Sequence, residues 1–373
     1  MIKLIYLLAI LPALMMTGCN AGDNDTPDTP VNTFPDDGSI QVTTTVNNPV
    51  VNRATGATDF TGSDFRLFID PEEKRESGKD VNADYHYQLT VKKSNSGNWD
   101  AFEGTYGTSI PANPLGDKIP LWAGPRVQTS VKAYANYKEN FTPSPLLDQN
   151  TAEKSNAVDL LYFYKSLLPG TELDGNKKLA IDFTHRLSQL NIILKFGSEF
   201  NRVDNKTMDA ALIKSVGIYE MQYEYTFDVN TSPSVNDASI IYPIPTATGL
   251  ITTLTDLTNV SPSTPHITPY IYKELEQGTN PTITYTALVV PQTVAGDSHL
   301  VVISLYPMRS DGKADTTGTP RNFVYTVPAS EPIVFESGKA YNLTLTVGKD
   351  QITDAVLTPE AWTPGSKDEI ITD

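Results

Sequence analysis

Short segments in which apolar and polar residues alternate recur along the chain, and turn-forming residues separate them. An apolar residue at every second position gives an extended segment one buried and one wet face. The clearest examples are Tyr85, Tyr87, Leu89 and Val91, and Tyr341, Leu343, Leu345 and Val347. The 18 tyrosines and 27 prolines favour short strands joined by turns. The sequence therefore predicts an all-β fold of sandwiches or barrels.

The chain has 373 residues, which is enough for two domains that each bury their own core. The alternation stops at residues 169–176, a stretch rich in proline, glycine and aspartate, and it resumes afterwards. We therefore predict two tandem β-sandwich domains, one over residues 54–175 and one over residues 176–350.

The chain is acidic, with a formal net charge of −16 at pH 7. This charge argues against a nucleic-acid partner, because phosphates require a basic face. Hydrophobic residues make up 39% of the chain and charged residues 19%, as is typical of a folded protein. The acidity fits solubility and mutual repulsion at a crowded surface.

The N-terminus has the pattern of a lipoprotein signal peptide, which we place at residues 1–18. Lys3 precedes an apolar run over residues 4–16 that is too short to cross a bilayer of roughly 30 Å. Gly18 then precedes Cys19, the only cysteine of the chain. A lone thiol directly after an apolar run and a small residue predicts lipid attachment at Cys19.

Residues 19–38 are polar, acidic and proline-containing, and they are predicted to form an extended tether. A strand with period two follows within residues 39–53, and one of its faces carries Ile40, Val42, Thr44 and Val46. Arg53 and Ala54 lie among glycine, alanine, threonine and asparagine residues. This setting predicts an exposed loop that proteases can reach.

No pattern in the sequence predicts catalysis, a metal site or a cofactor. The four histidines, His86, His185, His266 and His299, have no metal-ligand spacing, and a lipidated Cys19 leaves no free thiol. Nucleophile-elbow, phosphate-loop and dinucleotide-binding motifs do not occur. His185 lies between apolar residues and is predicted to be a packed, hydrogen-bonded core histidine. We predict a protein that is not an enzyme.

Three motifs, in this order along the chain, resemble those of the fimbrillin family of Bacteroidia. Residues 183–190 resemble the F-x-H-x-L-S-x-L stretch of that family. The Val-Pro-Gln at residues 290–292 resembles its V-P-Q strand, and residues 337–345 resemble its G-x-x-Y-x-L-T-L closing strand. With the signal peptide in front and Trp362 near the end, the resemblance covers most of the chain.

The resemblance implies a structural subunit of cell-surface fimbriae that is exported to the outer membrane with lipid on Cys19. It implies that an arginine-specific protease cuts in the loop after the first strand, and the matching position is Arg53, followed by Ala54. Loss of residues 39–53 removes the strand and opens a groove, which a strand from another fimbrial subunit fills. The resemblance also implies that both domains are transthyretin-like seven-stranded sandwiches and that the fimbriae support adhesion.

The tail over residues 351–373 follows the last clear strand, which ends at Val347, and is the candidate donor strand. Its apolar anchors are predicted to be Ile352, Val356, Trp362 and Ile370. In the alternative interpretation the tail completes its own domain and Trp362 is part of the core. The sequence leaves both interpretations open.

A second interpretation of function is a glycan-binding or adhesin lipoprotein that does not polymerise. Sugar sites use exposed aromatic rings, and Trp99, Trp122 and the tyrosines provide them. The same residue types also pack in cores and across strands. Aromatic rings on one exposed platform favour glycan binding, whereas an N-terminal strand that spans a sandwich groove favours a fimbrial subunit. A stalk role and a tip role both remain open.

Overall fold

β-Strands form most of the regular structure in the computed structural model, which confirms the prediction of an all-β fold. The predicted residues Cys19, Arg53, Ala54, Trp362 and Ile370 lie outside the part of the chain that the structure describes. Across the described part, no helix is long and apolar enough to span a membrane. The described residues are 32–47, 58–72, 80–137, 146–204, 206–226, 244–245, 253–258, 260–261 and 263–360.

The first nine strands belong to one sheet. They are β1 (Val42–Asn47), β2 (Thr58–Asp59), β3 (Asp64–Pro71), β4 (Tyr87–Lys93), β5 (Trp99–Tyr106), β6 (Asn113–Pro114), β7 (Thr129–Ala135), β8 (Leu161–Leu167) and β9 (Leu179–His185). Their order across the sheet is β2-β1-β9-β8-β7-β3-β4-β5-β6. Val42 of β1 also pairs with Trp99 of β5. The sheet therefore curls until strands near its two ends meet, and its apolar face encloses one core.

The remaining strands form a two-layer arrangement. They are β10 (Ser188–Phe196), β11 (Ile213–Ile218), β12 (Tyr225–Thr226), β13 (Ile244–Pro245), β14 (Tyr270–Glu276), β15 (Thr282–Val289), β16 (Gln292–Val294), β17 (His299–Leu305), β18 (Arg321–Thr326), β19 (Ile333–Phe335), β20 (Ala340–Val347) and β21 (Ile352–Glu360). A five-stranded sheet, β14-β15-β10-β20-β21, shares its core with a three-stranded sheet, β11-β17-β18. β12 pairs with β13, and β16 pairs with β19.

Two short α-helices, α1 (Ala152–Val158) and α2 (Pro169–Glu172), lie among the strands of the first sheet. The hydroxyl of Thr151 accepts a hydrogen bond from the Lys154 amide at 3.3 Å and caps α1. The apolar run at residues 159–163 fits a strand or a helix by sequence alone. The structure ends the helix at Val158 and makes residues 161–167 a strand that pairs with β7.

The first sheet extends beyond residue 175, where we predicted the domain boundary. β9 lies past that point and still pairs with β1 and β8, so the sheets change only between His185 and Ser188. Residues 174–178 form a tight turn in which the Asp174 amide donates to the Lys178 carbonyl at 2.9 Å. The boundary prediction is therefore wrong by about ten residues, because this turn reverses the chain within one sheet.

Side chains from both groups of sheets bury one another. Tyr134 and Tyr162 from the first sheet cluster with Leu187, Leu288 and other apolar residues beyond it. Gln149 is fully buried at this junction. Its amide nitrogen donates to the Leu288 carbonyl at 2.8 Å, and its amide oxygen accepts from the Leu288 amide at 2.8 Å. Such buried, satisfied polar pairs fix a specific arrangement.

Candidate functional site

The chain from Thr33 to Asn47, here called the N-terminal segment, lies against the first sheet along its whole length. At its start the Thr33 hydroxyl donates to the Pro169 carbonyl at 3.0 Å and accepts from the Leu173 amide at 3.3 Å. Thr33 and Pro35 are both buried. The tether predicted over residues 19–38 is therefore wrong for residues 33–38, because backbone and hydroxyl groups dock them.

The middle of the N-terminal segment pairs with a second stretch of chain, residues 120–122. The Ile40 amide donates to the Pro120 carbonyl at 2.9 Å, and the Trp122 amide donates to the Gly38 carbonyl at 2.9 Å. The Leu121 amide in turn donates to the Tyr87 hydroxyl at 3.0 Å. Burial raises the pKa of that hydroxyl. Residues 120–122, which we call the wall, therefore lie beside the N-terminal segment. The Tyr87 hydroxyl holds the wall in place through the Leu121 amide.

The end of the N-terminal segment is β1, which pairs on both sides. It runs parallel to β9 from Val42 opposite Leu179 to Asn47 opposite Thr184. On its other side, Val46 pairs with Thr58 of β2. The Thr45 hydroxyl also donates to the Asp182 carboxylate. β1 is therefore an inserted strand of the sheet.

The predicted apolar face of this strand points into the core. The exposed fractions are 1% for Ile40, 4% for Val42 and 8% for Val46, whereas Thr44 is half-buried. Each fully buried aliphatic side chain contributes about 1.5–3 kcal/mol. Burial of these three side chains makes the strand an integral part of the first core.

Aromatic rings form the surface that the N-terminal segment covers, which we call the groove. Phe60 lies 5.5 Å from Trp99 and 5.1 Å from Phe183 between ring centroids. Phe65 lies 5.1 Å from Trp99 and 5.5 Å from Phe183. Removal of the segment would uncover these rings and free the backbone groups of β9 and residues 120–122. Such a surface is a template for another extended chain.

The two described tryptophans, Trp99 and Trp122, are buried in the first core. They therefore do not form the exposed aromatic platform that a sugar site uses. Their burial removes the main sequence argument for glycan binding by these two residues.

Sequence reasoning identified the strand but missed Thr33 and the wall at residues 120–122. The wall is paired with residues about 80 positions earlier, so no local pattern signals it. Phe183 is the first residue of the stretch at residues 183–190 that resembles F-x-H-x-L-S-x-L. That stretch is the sequence signal for the aromatic rings of the groove.

The predicted cleavage loop connects two described strands. β1 and β2 are antiparallel neighbours, with Val46 opposite Thr58. The chain that joins them contains Arg53 and Ala54. A cut in this connection would leave the N-terminal segment attached to the rest only through non-covalent contacts.

Part of the tail forms one more strand beyond the one that ends at Val347. β21 runs antiparallel to β20, with Leu343 opposite Leu357 and Val347 opposite Ile352. It is the edge of its sheet, and the Val356 side chain is 47% exposed. Ile352 and Leu357 only partly bury against the second core. In this structure residues 352–360 therefore complete their own sheet, and their role as a donor stays a prediction.

Two described histidines are engaged in structural pairs with carboxylates. His185 is buried, as predicted, with its Nδ1 2.8 Å from an Asp159 carboxylate oxygen. His299 pairs with Glu220 at 3.0 Å. Asp311 lies in a turn, where its carboxylate accepts a hydrogen bond from the Lys313 amide at 3.0 Å. Among the residues described, no three histidine, cysteine or acidic side chains come together as metal ligands.

Comparison with known proteins identifies one family model, described as fimbrillin-like, that matches residues 52–362. No curated protein matches the chain. Among solved structures, a candidate cell adhesion protein from Bacteroides ovatus is similar, with 15% identity, a TM-score of 0.49 and coverage of 87% of this chain and 98% of that chain. A fimbrial protein from Bacteroides vulgatus has 12% identity and a TM-score of 0.43, with coverage of 87% and 99%.

Proposed function

Because this chain belongs to the fimbrillin-like family, we propose that it is a structural subunit of cell-surface fimbriae that assembles by exchange of β-strands. In this proposal the precursor reaches the outer membrane as a lipoprotein anchored through Cys19. An arginine-specific protease cuts after Arg53, and the mature chain begins at Ala54. The N-terminal segment then leaves with the lipid, and a strand of another subunit takes its place. The resulting fimbriae support adhesion.

The observation that carries this proposal is the position of the N-terminal segment. It precedes the proposed cut at Arg53, lies between β9 on one side and β2 with residues 120–122 on the other, and contributes three buried aliphatic side chains to the core. Loss of the segment would leave unpaired backbone groups of β9 and residues 120–122 beside the aromatic rings of the groove. Such a groove binds a replacement strand through backbone hydrogen bonds and apolar side chains at alternate positions.

The candidate replacement is the tail of a neighbouring subunit, residues 351–373. β21 is an edge strand with little buried side-chain surface, so its release costs less than release of a core strand. A donor with several apolar anchors at about 1.5–3 kcal/mol each would hold its neighbour for a long time. Assembly by this route needs no cofactor and no energy source.

Processing is tested by N-terminal sequencing of fimbriae sheared from cells. The wild-type polymer should begin at Ala54, and Arg53→Ala should leave uncut monomer at the cell surface. Arg126→Ala, which changes an exposed arginine elsewhere, is the matched control and should be processed normally. A sheared polymer that still begins at acylated Cys19 would refute the processing model.

The donor role is tested by deletion of the residues after Trp362. Cut subunits that lack this part of the tail should remain monomeric in size-exclusion chromatography. Normal polymer from the shortened chain would exclude Ile370 as an anchor and leave Ile352, Val356 and Trp362 as the candidates.

A further inference from the structure

A cleft of about 460 Å³ lies at the start of the N-terminal segment's strand, beside the groove. Ser39, Ile40 and Gln41 of the segment line one wall. Trp99, Phe102 and Ile119 line the remainder together with polar residues. The volume is within the range of small-ligand sites. The chain's own segment borders this cleft through Asp37, Ser39, Ile40 and Gln41 and does not fill it.

We propose that this cleft receives the indole ring of Trp362 from the tail of a neighbouring copy of this chain. The inference rests on the proposed strand exchange and adds a specific anchor to it. Trp362 is the only aromatic residue in the tail over residues 351–373. Tryptophan is enriched among the side chains that dominate interface energies, because one ring buries a large area in a pocket.

The walls that remain after cleavage match the chemistry of an indole ring. Trp99 and Phe102 provide aromatic surface, and Ile119 provides an aliphatic face that is 66% exposed. Asp100 and Asp117 also line the cleft and are exposed. Their carboxylates can accept a hydrogen bond from the indole N–H. An apolar ring with a single donor therefore fits a cleft in which apolar side chains alternate with polar and charged ones and carboxylates are available as acceptors.

The cleft is continuous with the groove. Ile119 directly precedes Pro120, whose carbonyl accepts from the Ile40 amide in the precursor. A strand that replaced the N-terminal segment would pair with the same carbonyl and pass beside Ile119. The cleft thus offers the incoming strand a contact that the original segment does not make, which favours exchange over rebinding of the released segment.

The test uses the full chain after cleavage at Arg53, with Ile119→Asp as the cleft variant. A carboxylate in the apolar wall should slow polymer formation about tenfold or more, as expected for loss of a central interface anchor. Val203→Asp is the matched control, because the Val203 side chain is also 66% exposed but lies outside the cleft. It should polymerise at the wild-type rate. Unchanged urea denaturation of both uncut precursors establishes that folding is intact.

The occupant is tested by Trp362→Ala, which should slow assembly to a similar extent. A mixture of the two variants distinguishes a neighbour's ring from the chain's own. Ile119→Asp subunits retain a normal donor, and Trp362→Ala subunits retain a normal cleft. The mixture should therefore form dimers faster than either variant forms them alone.

The outcomes separate this inference from the proposed function. If cut wild-type subunits form no polymer, strand exchange itself is wrong. If they polymerise and Ile119→Asp matches the Val203→Asp control, the cleft is not an anchor site and only the inference is overturned. If Ile119→Asp slows assembly but Trp362→Ala does not, the assignment of Trp362 as the occupant is overturned.

Discussion

The first and last described strands are both close to chain ends, but different interactions hold them. β1 is inserted between two neighbours and points Val42 and Val46 into an aromatic core. β21 pairs with β20 alone, and most of its side chains are exposed. Departure of β1 would uncover an apolar groove, whereas departure of β21 would uncover mainly the backbone edge of β20. The molecule therefore combines a groove whose exposure would uncover apolar side chains with an edge strand whose release would uncover few of them.

Under the proposed strand exchange, this difference would give polymerisation a direction. Backbone pairing is similar for the two strands, but only the groove adds buried aliphatic side chains at about 1.5–3 kcal/mol each. Cross-strand pairs on a solvated sheet contribute roughly 0.2–1 kcal/mol each. A strand that moves from the edge of one subunit to the groove of the next thus exchanges weak side-chain contacts for strong ones.

The same substitution in each strand tests the comparison most directly. Val42→Asp should destabilise the uncut chain by about 3–5 kcal/mol, because it places an uncompensated charge in the core. Val356→Asp should change stability by no more than about 0.5 kcal/mol, because the side chain is 47% exposed. Urea denaturation followed by circular dichroism measures both values. Similar losses for the two variants would show that β21 is as firmly integrated as β1.

The sequence predicted β1 much better than its surroundings. Alternation of Ile40, Val42 and Val46 reports burial directly, because period two is a local property of the chain. Docking of Thr33 and Pro35 was not predictable, because acidic, proline-containing composition is typical of tethers and the partners of Thr33 are more than 130 residues away. Local patterns therefore predict which residues belong to the first core, but the residues that border the groove are brought together by long-range contacts.

The sequence left the place of β21 open and put the sheet boundary too early, for related physical reasons. An edge strand exposes most side chains, so Thr353 and Asp354 interrupt the alternation that marks buried strands. The turn at residues 174–178 has the composition of a linker, although it reverses the chain within one sheet. In both places local composition reflects solvent exposure, whereas tertiary pairing decides the structure.

Thr33 provides a second test, because it holds the N-terminal segment at a point outside β1. Thr33→Val keeps the shape but removes the hydroxyl that bridges the Pro169 carbonyl and the Leu173 amide. A buried donor left without a partner costs about 1–3 kcal/mol. Urea denaturation of the uncut chain should show this loss. Thr43→Val, within β1, is the control and should lower the free energy of unfolding by less. If both variants lower it equally, the hydrogen bonds of Thr33 add no stability beyond that of β1.

Arg321 provides the corresponding test at the other end of the molecule. Its guanidinium donates to the Asp350 carbonyl at 2.7 Å and to the Asp350 carboxylate at 3.0 Å, just before β21 begins. Because the pair is exposed, Arg321→Ala should cost at most about 1 kcal/mol. Hydrogen exchange of the β21 amides should accelerate up to about fivefold, while the β1 amides stay unchanged.

The control for this variant is Arg309→Ala, which removes an exposed ion pair with Asp311 elsewhere in the second half. It should leave exchange in β21 unaffected. If Arg321→Ala accelerates exchange in β1 as well, the two strands do not open independently, and the comparison between them fails.

The smallest expected effect is a pH dependence confined to the N-terminal segment. The Asp37 carboxylate accepts a hydrogen bond from the Ser39 amide at 2.9 Å, and this bond holds the pKa of Asp37 below its ordinary value. A lowered pKa stabilises the folded state above the ordinary value, and the stabilisation is lost as the pH falls through the folded-state pKa. Acid should therefore weaken protection of the Ser39 amide against hydrogen exchange, after correction for the intrinsic exchange rate. Asp37→Asn cannot titrate and should remove this part of the pH dependence, so an identical acid response in that variant would exclude Asp37 as its source.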